Sequence, residues 1–522
     1  MKSADTAAPD TRRGNATHPR SGVPLLALLV CVSLLVWLAR DLPGPCHDTS
    51  RLAAADALVN HGSLSIDHSR FNYTCDRILV AGHYYSDKPP VLSLFYAAFL
   101  AVMQSVLGWN WSADLPAIHS LLVVATSGLS FLLVAAVFMR RALASQWPPV
   151  AAATLAIVLP AASQVGVFAT ALNAHIVAAA LLLLFWDRVA PDTDRARGAM
   201  PGFGLGLILG LALVIDPLVV TFALAYLAWM APDLWAARRS TLAALAGAAL
   251  PVLVHGGLSW AIAGNPLAVN LNPEHFNYPG SQHDAHILTG VGVKHDSVGA
   301  FLNYGFDSLL GHHGFFVFNS VTLIGLLALR AGRPRATWIV LSTLGLFFAL
   351  TIAFSNNQSG HAYGNRWHVL LVPLALYALF NVPWARIRAL RPAVRIGMWL
   401  VVLWGLVIAV IGLRNPWTPA IEARPSFLVQ LSRDPRYVAH ELERAVQFLR
   451  AGYFHEARGY AELALNHGPT NPQAWWVAVR AAEELGDGHL LRGYRDALRA
   501  ADVPEPLKTQ LLGRINTALS DP

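Results

Sequence analysis

Charge is scarce in this 522-residue chain: Asp, Glu, Lys and Arg make up 13% of it, against 55% hydrophobic residues. With a mean hydropathy of +0.45 and apolar residues gathered in blocks near the ~20 residues that span a bilayer, it reads as a polytopic membrane protein. The cation surplus is small, 38 Lys and Arg against 31 Asp and Glu, and fits cytoplasmic arginine loops rather than a nucleic-acid surface. No Gly-rich phosphate loop is present, so no nucleotide site is called for. Histidine is more plentiful, but no HExxH accompanies it, and of the long connection's His275, His283, His286, His295, His312 and His313 only His283 and His286 have a close helical spacing. That spacing argues for no metal, and a gating or acceptor-recognition loop fits the connection better. Cysteine is rarer still, with three in all.

The apolar blocks organise the rest. Residues 1–22 are polar and read as a disordered cytoplasmic tail. The run Val23 to Ala39 follows Arg12, Arg13 and Arg20, yet no small-x-small cleavage site precedes Arg40-Asp41-Leu42-Pro43, which favours an uncleaved first helix over a signal peptide. Further blocks lie at about 117–139, 148–165, 172–187, 202–215, 218–235, 241–263, 314–329, 336–354, 367–385 and 396–413. Arginines fall in alternate connections, Arg140/Arg141, Arg188/Arg195/Arg197, Arg238/Arg239, Arg330/Arg333/Arg335 and Arg386/Arg388/Arg391/Arg395, and the intervening connections are nearly free of Lys and Arg, with Lys294 and Arg366 the exceptions. This satisfies the positive-inside rule if the run Pro89 to Leu107 lies in the interface instead of crossing. The predicted architecture is therefore all-α, with about 11 spanning helices, a first extracytoplasmic loop over 41–116 carrying interfacial helices, and a long one over 264–313. The N-terminus is placed in the cytoplasm and the C-terminus outside.

Cys31 falls within the first block, whereas Cys46 and Cys75 share the outward loop, where an oxidising compartment permits a disulfide; two unpaired thiols remain the alternative. In "GHYYSDKPP" (82–90), Ser86 or Asp87 could cap a helix that opens on proline, and Lys88 could simply snorkel. A helix start beside a lysine is equally an anion site, and at a membrane surface the anion is a lipid phosphate. In "CHDTSRLAAADALVNHGSLSID" (46–67), Asp48 could cap a helix over Thr49 to Val59 and Asp56 could be a solvated face residue. A carboxylate at a helix exit near a phosphate is also placed to act as a general base.

Taken together, "DTSRLAAADALV", "GSLSID" and "GHYYSDKPP" resemble the bacterial GT-C glycosyltransferases of the protein-mannosyltransferase and lipid A aminoarabinose-transferase type. "TALNAHIVAAALLLL" (170–184), "GHHGFFVFNSVTLIG" (311–325) and "GHAYGNRWHVLLVPLALYAL" (360–379) extend the resemblance across about residues 24–413. It implies an inner-membrane enzyme passing a hexosyl or pentosyl group from a polyprenyl-phosphate donor to a hydroxyl acceptor of the cell envelope on the extracytoplasmic face. The resemblance makes Asp48 the catalytic base, and Lys88 and Arg366 the cations on the donor phosphate. It places Tyr85, Asp87, Arg51, His361, Tyr363, Asn173 and His175 at substrate. It requires no cofactor. Asp48 is followed by Thr49 where many relatives carry Asp-Glu, so a second carboxylate, if one is needed, comes from Asp56, Asp76 or Asp87. Asn173 and His175 stand where some relatives carry an Asp, and polar packing at a helix start explains them equally well.

Composition changes after Pro416. Pro416, Pro419 and Pro425 mark a linker (416–434), and residues 435–522 are charged, with "AVQFLRAGYFHEARGYAELALNHGPTNPQAWW" similar to a tetratricopeptide repeat. About two hairpin units make a docking module or cap with room for a protein partner rather than a free solenoid. Two rival functions remain open. A lipid or solute transporter would place its acids mid-bundle, where Asp216 is the sole candidate and the topology makes it an outer turn. A non-catalytic scaffold presenting the repeats would need no Asp48.

Overall fold

The computed structural model describes residues 22–44, 46–191, 202–279, 281, 294–331, 334–355, 357–360, 362–418, 420, 424–432 and 435–520. The tail and His361, His283 and His286 lie outside these residues.

Two helices precede the site: α1 (Val23–Leu38) and α2 (His47–His61). A short antiparallel hairpin of β1 (Arg77–Val80) and β2 (His83–Ser86) follows, pairing Arg77 with Ser86 and Ile78 with Tyr85. Its two-residue turn needs positive φ at both positions, which Ala81 (50°) and Gly82 (86°) supply. Among the described residues this hairpin is the one sheet in a fold built of helices. Among helices of ten or more described residues come α3 (Pro90–Leu107), α4 (Ala113–Ala144), α5 (Pro149–Ala161), α6 (Ala174–Val189), α7 (Phe203–Ile215), α8 (Pro217–Ala236), α9 (Arg238–Ala263), α10 (Val298–Leu309), α11 (Pro334–Phe354) and α12 (Pro392–Gly412).

Six of these, α3, α4, α8, α9, α11 and α12, are long and apolar enough to cross a membrane, and α1, α5 and α7 are shorter apolar helices. Leu242, Leu253 and Trp260 on α9 and Trp399, Leu403 and Val410 on α12 are exposed, as lipid-facing side chains are. The run expected to lie in the interface forms the continuous helix α3, capped by Gly108 at φ 67°, and packs along α2. Two blocks read as single spans are broken. Residues 314–329 divide into Phe315–Phe318 and Thr322–Ala328 at Asn319, whose amide bonds Gln164. Residues 367–385 divide at Pro373 and Pro383, where proline cannot donate to the preceding turn.

At the centre stands α6, buried along most of its length. It is roughly 24 Å long at 1.5 Å per residue, and its two ends differ in chemistry. At one end Asp187, fully buried, is held by Arg140 and Arg141 and by the Tyr377 hydroxyl. At the other, Asn173 caps the helix and His175 lies in its first turn. Beside α6, helices α7 and α9 touch backbone to backbone: a Cβ added to Gly206 would strike the Ala244 carbonyl, and one on Gly247 the Phe203 carbonyl. Small residues permit this approach, and dispersion between the two backbones then holds the pair.

The last helices, α13 (Pro435–Arg450), α14 (Phe454–His467), α15 (Pro472–Glu484), α16 (Gly488–Ala500) and α17 (Glu505–Ser520), share a core of their own around Ala461, Trp475, Ala478, Leu491, Leu498 and Leu511. They are bound to the segment after α1. Glu456, 3% exposed, receives Arg70 (3.1 Å) and the Tyr73 hydroxyl (2.9 Å), while Arg458 reaches Asp41 (2.8 Å). Tyr73 also packs on Phe448 and Tyr453.

Candidate active site

Where α2 begins decides much of the site. It starts at His47, two residues before the expected Thr49, so Asp48 lies inside the first turn and caps nothing. His47 and Arg51, four residues apart, consequently share a face, and Arg51 Nη1 donates to His47 Nε2 at 3.0 Å. Asp48 turns away from that face: its Oδ2 accepts the Gly44 N–H at 2.9 Å, and its Oδ1 has no partner among the described residues. Burial, opposed by the Gly44 hydrogen bond and by Arg51, Arg366 and Arg40, pushes the Asp48 carboxyl up to about 7. Burial together with the cations Arg366, Arg51 and Lys88 pulls His47 well below the usual histidine range. His47 is therefore neutral and accepts from Arg51.

The second wall is the hairpin and the start of α3. Here too the expected cap is absent, because Pro89, extended at ψ 124°, is the N-cap and Pro90 the first helical residue. Ser86 and Asp87 instead face α2: Ser50 Oγ lies 2.7 Å from Ser86 Oγ and 3.2 Å from Asp87 Oδ1, and donates to the Asp76 carbonyl at 2.5 Å. Lys88 Nζ bridges two carboxylates, Asp76 at 2.6 Å and Asp87 at 2.8 Å. A disulfide joins Cys46 to Cys75, with Cα atoms 5.1 Å apart, and so ties the start of α2 to the residue before Asp76.

Between these walls is a cavity of about 970 Å³. Arg51, Lys88 and Arg366 line it together with Asp76, Asp87, His47 and His175. Arg366 is anchored through its backbone N–H to Ser359 Oγ (3.0 Å) and its guanidinium lies 5.9 Å from the Trp417 ring. Burial lowers the Arg366 pKa from the usual arginine range. Among the described residues neither Arg51 nor Arg366 has a carboxylate at ion-pair distance, and the Nε of each is buried without a partner. Apolar side chains line the same cavity, among them Ile215, Leu218, Val220, Leu350 and Phe354.

Other candidates stand elsewhere. Tyr363 is fully buried in the core, its hydroxyl donating to the Ile408 carbonyl at 2.6 Å and its ring edge-on to Phe318. Tyr85 faces the small cluster of Ile78, Val269 and Phe276. Asn173 spends its amide oxygen on the Ile176 N–H. Asp48 does not line the large cavity, although its neighbours in the helix do. Asp56 is buried and accepts from Ser69, Arg70 and Asn60.

Two participants escaped sequence reasoning. Asp216 is indeed in a turn, capping Pro217–Val219, but its Oδ2 also binds His175 Nδ1 at 2.7 Å, and both line the cavity. Trp417, within the stretch taken for a linker, is buried against His47, Phe168 and Arg366. A Pro-Trp among membrane helices is a weak signal for a wall residue, whereas an acid just before a proline-led turn could have been weighed as a histidine partner. For the metal question, Cys46, Cys75 and Asp76 are the sole described cluster close enough to share an ion, and its two sulfurs are bonded to each other. His312 and His313 both turn onto Asp307, His275 onto the Val269 carbonyl, and His295 onto that of Ile352.

Fold and site define a multi-pass helical membrane protein whose bundle carries, at one end, a cavity lined by both charged and apolar side chains. No family model matches the chain, and no curated protein matches it. Among solved structures it is similar to the crystal structure of ArnT from Cupriavidus metallidurans bound to undecaprenyl phosphate. There the identity is 17% and the TM-score 0.48, over 92% of this chain and 81% of that one. It is also similar to the apo state of ArnT from Cupriavidus metallidurans, at 19% identity and TM-score 0.46, over 90% and 80%.

Proposed function

We propose that the protein is an integral-membrane glycosyltransferase that takes a hexosyl or pentosyl group from a polyprenyl-phosphate donor and passes it to a hydroxyl acceptor on the extracytoplasmic face of the plasma membrane. One observation carries the reading: two guanidinium groups, Arg51 buried and Arg366 half-buried, with no carboxylate at ion-pair distance among the described residues, stand beside Lys88 in a cavity that also has an apolar lining. Phosphate on a lipid tail has that division of chemistry. Arginine offers planar, paired donors to phosphate oxygens, and Lys88 adds a point charge held in place by Asp76 and Asp87. Support for this side of the membrane comes from α6. Its His175 end belongs to the cavity, and its Asp187 end to the arginines that the positive-inside rule assigns to the cytoplasm.

In the reaction the bond between the anomeric carbon and the phosphate oxygen breaks, its electron pair leaving on the lipid phosphate, while the acceptor oxygen bonds the same carbon from the opposite side. The acceptor proton goes to Asp48, and the configuration inverts. Negative charge grows on the phosphate as the sugar becomes oxocarbenium-like, so the three cations bind the transition state more strongly than the donor. Asp48, with a pKa near working pH, is suited to accept the proton. The C-terminal helices are proposed as a docking module over this end of the bundle.

The test is release of free polyprenyl phosphate from a panel of polyprenyl-phosphate sugars by purified protein with a cell-envelope extract as acceptor. Wild type should release it, and Asp48→Asn should be slower by about 10²–10⁴-fold. No release by folded wild-type protein across the panel would favour a transporter or a scaffold.

A further inference from the structure

Another cavity, of about 210 Å³, lies at the other end of the bundle. Trp147 and Leu379 line it. Trp147 comes soon after Arg141, which holds Asp187, and Leu379 soon after Tyr377, whose hydroxyl holds the same carboxylate. The Trp147 indole donates to the Val382 carbonyl at 2.8 Å, and its ring lies 5.2 Å from that of Trp384, so the turn after α4 is fastened to the segment before α12. The cavity therefore belongs to the Asp187 end of α6, whereas the cationic cavity belongs to the His175 end.

Its lining is graded. From α12 come Arg395, Met398, Trp399 and Val402, the i, i+3, i+4, i+7 spacing of one helix face. Arg395 and Trp399 are exposed, Met398 is half-buried and Val402 buried. The other contributors repeat the order: Arg388 is exposed, Trp384 half-buried, and Leu159 and Ile324 buried. Charge thus stands at the exposed part of the lining and aliphatic side chains at the buried part. Arg386 and Arg391 are exposed beside Arg388 and Arg395. Among the described residues none of these four has a carboxylate at ion-pair distance, whereas Arg140 and Arg141 share Asp187 and Arg335 holds Asp233. The sequence offers none nearby, since no acid occurs between Asp307 and Glu422. Nor do the cations serve α12: it has no acidic residue in its first turn, and the positive end of a helix dipole disfavours arginine there.

We propose that this cavity binds an anionic phospholipid of the leaflet at this end, one acyl chain lying along α5 and α12 and the phosphate held by Arg388 and Arg395. The positive-inside rule makes that leaflet the cytoplasmic one, where anionic lipids attract basic segments beside the membrane. The proposal does not rest on the transferase reading. The volume is more than ten times the ~10–15 Å³ that one small group needs, room for a run of methylenes. Guanidinium groups offer paired donors to phosphate oxygens. Indoles favour the level where headgroups meet acyl chains, and Trp384 and Trp399 share the lining with both the arginines and the aliphatic side chains. A zwitterionic lipid has the same chains, but its own cation offsets its phosphate, so it leaves the arginines without a counter-charge.

The test uses delipidated full-length protein in detergent, titrated with dioleoyl phosphatidylglycerol or dioleoyl phosphatidylcholine, with bound lipid counted by native mass spectrometry. Wild type should bind its first phosphatidylglycerol at least tenfold more tightly than phosphatidylcholine. Arg388→Gln/Arg395→Gln should lose that preference. Arg238→Gln/Arg239→Gln removes as much charge from an exposed pair outside the cavity and should keep phosphatidylglycerol affinity within twofold. Met398→Trp fills the groove while keeping every arginine, and should weaken phosphatidylglycerol binding at least fivefold. Thermal unfolding in lipid-free detergent should match wild type for both arginine pairs, which make no ion pair among the described residues. Equal binding of the two lipids by wild type, equal loss in both arginine pairs, or full affinity in Met398→Trp overturns the proposal. Displacement of the bound phosphatidylglycerol by equimolar polyprenyl phosphate also overturns it, by naming a different occupant.

Discussion

The pH dependence of transfer tests the assignment of Asp48 most directly. Its carboxyl is buried and pushed up to about 7, and only the deprotonated form accepts a proton. Below pH 7 the rate should fall about tenfold per unit, so transfer at pH 5 should be roughly a hundredfold below its plateau. The sign for stability is opposite. The folded state holds the proton more tightly than the unfolded chain, whose Asp titrates near 3.8, so stability declines as pH rises from about 4 to about 7. A difference of about three units corresponds to ~4 kcal/mol across that window. The assay is initial-rate release of polyprenyl phosphate at saturating donor from pH 5 to 8.5, beside thermal unfolding of the same samples. Asp48→Asn should abolish the acid limb and flatten the stability profile. A flat rate profile in wild type, or an acid limb that persists in Asp48→Asn, would refute the reasoning.

Two other outcomes follow from the same geometry. Lys88→Met leaves Asp76 and Asp87 without their shared cation and removes one charged contact worth about 1.5–3 kcal/mol, so polyprenyl phosphate affinity should fall ~10–100-fold by native mass spectrometry or calorimetry; an unchanged Kd would exclude Lys88 from the phosphate. Removing the disulfide in Cys46→Ser/Cys75→Ser opens a link across 29 residues, with a loss of about 3.5 kcal/mol by chain entropy. Thermal unfolding should drop for the double variant and for wild type under reductant alike, and equal midpoints in all three would contradict it.

Much of this was legible in the chain. Apolar blocks announced the helices because a bilayer imposes their length, and the arginine alternation had singled out Arg140 and Arg141, which meet at Asp187. Asp87 and Lys88 could be singled out because a charged pair beside an apolar run needs a reason, whereas Arg51 and Arg366 came from the resemblance; the structure brings all four to one cavity. What the chain concealed was direction. A helix begun at His47 rather than Thr49 rotates Asp48 off the face of His47 and Arg51, and nothing local distinguishes the two starts. The hairpin over 77–86 was hidden by four-residue strands, shorter than the alternation that reveals them. Tyr363 looked like a ligand contact beside Arg366, yet its neighbours in space, Phe318 and Ile408, are 45 residues away on either side and make it core. Asp216 and His175, 41 residues apart, met only through the packing of α6 against α7.

The bonds from Glu456 to Arg70 and Tyr73 and from Arg458 to Asp41 join positions some 380 to 417 residues apart. During synthesis the segment after α1 is therefore made long before the helices that close over it. A nascent chain can insert its bundle, form the Cys46 to Cys75 bridge and even gather Lys88 with Asp76 and Asp87, but Glu456 and Arg458 are still to be translated. Closure of this end of the bundle waits for about the last sixth of the message, so a ribosome stalled before α13 leaves an inserted chain in which Arg70, Tyr73 and Asp41 have yet to meet Glu456 and Arg458.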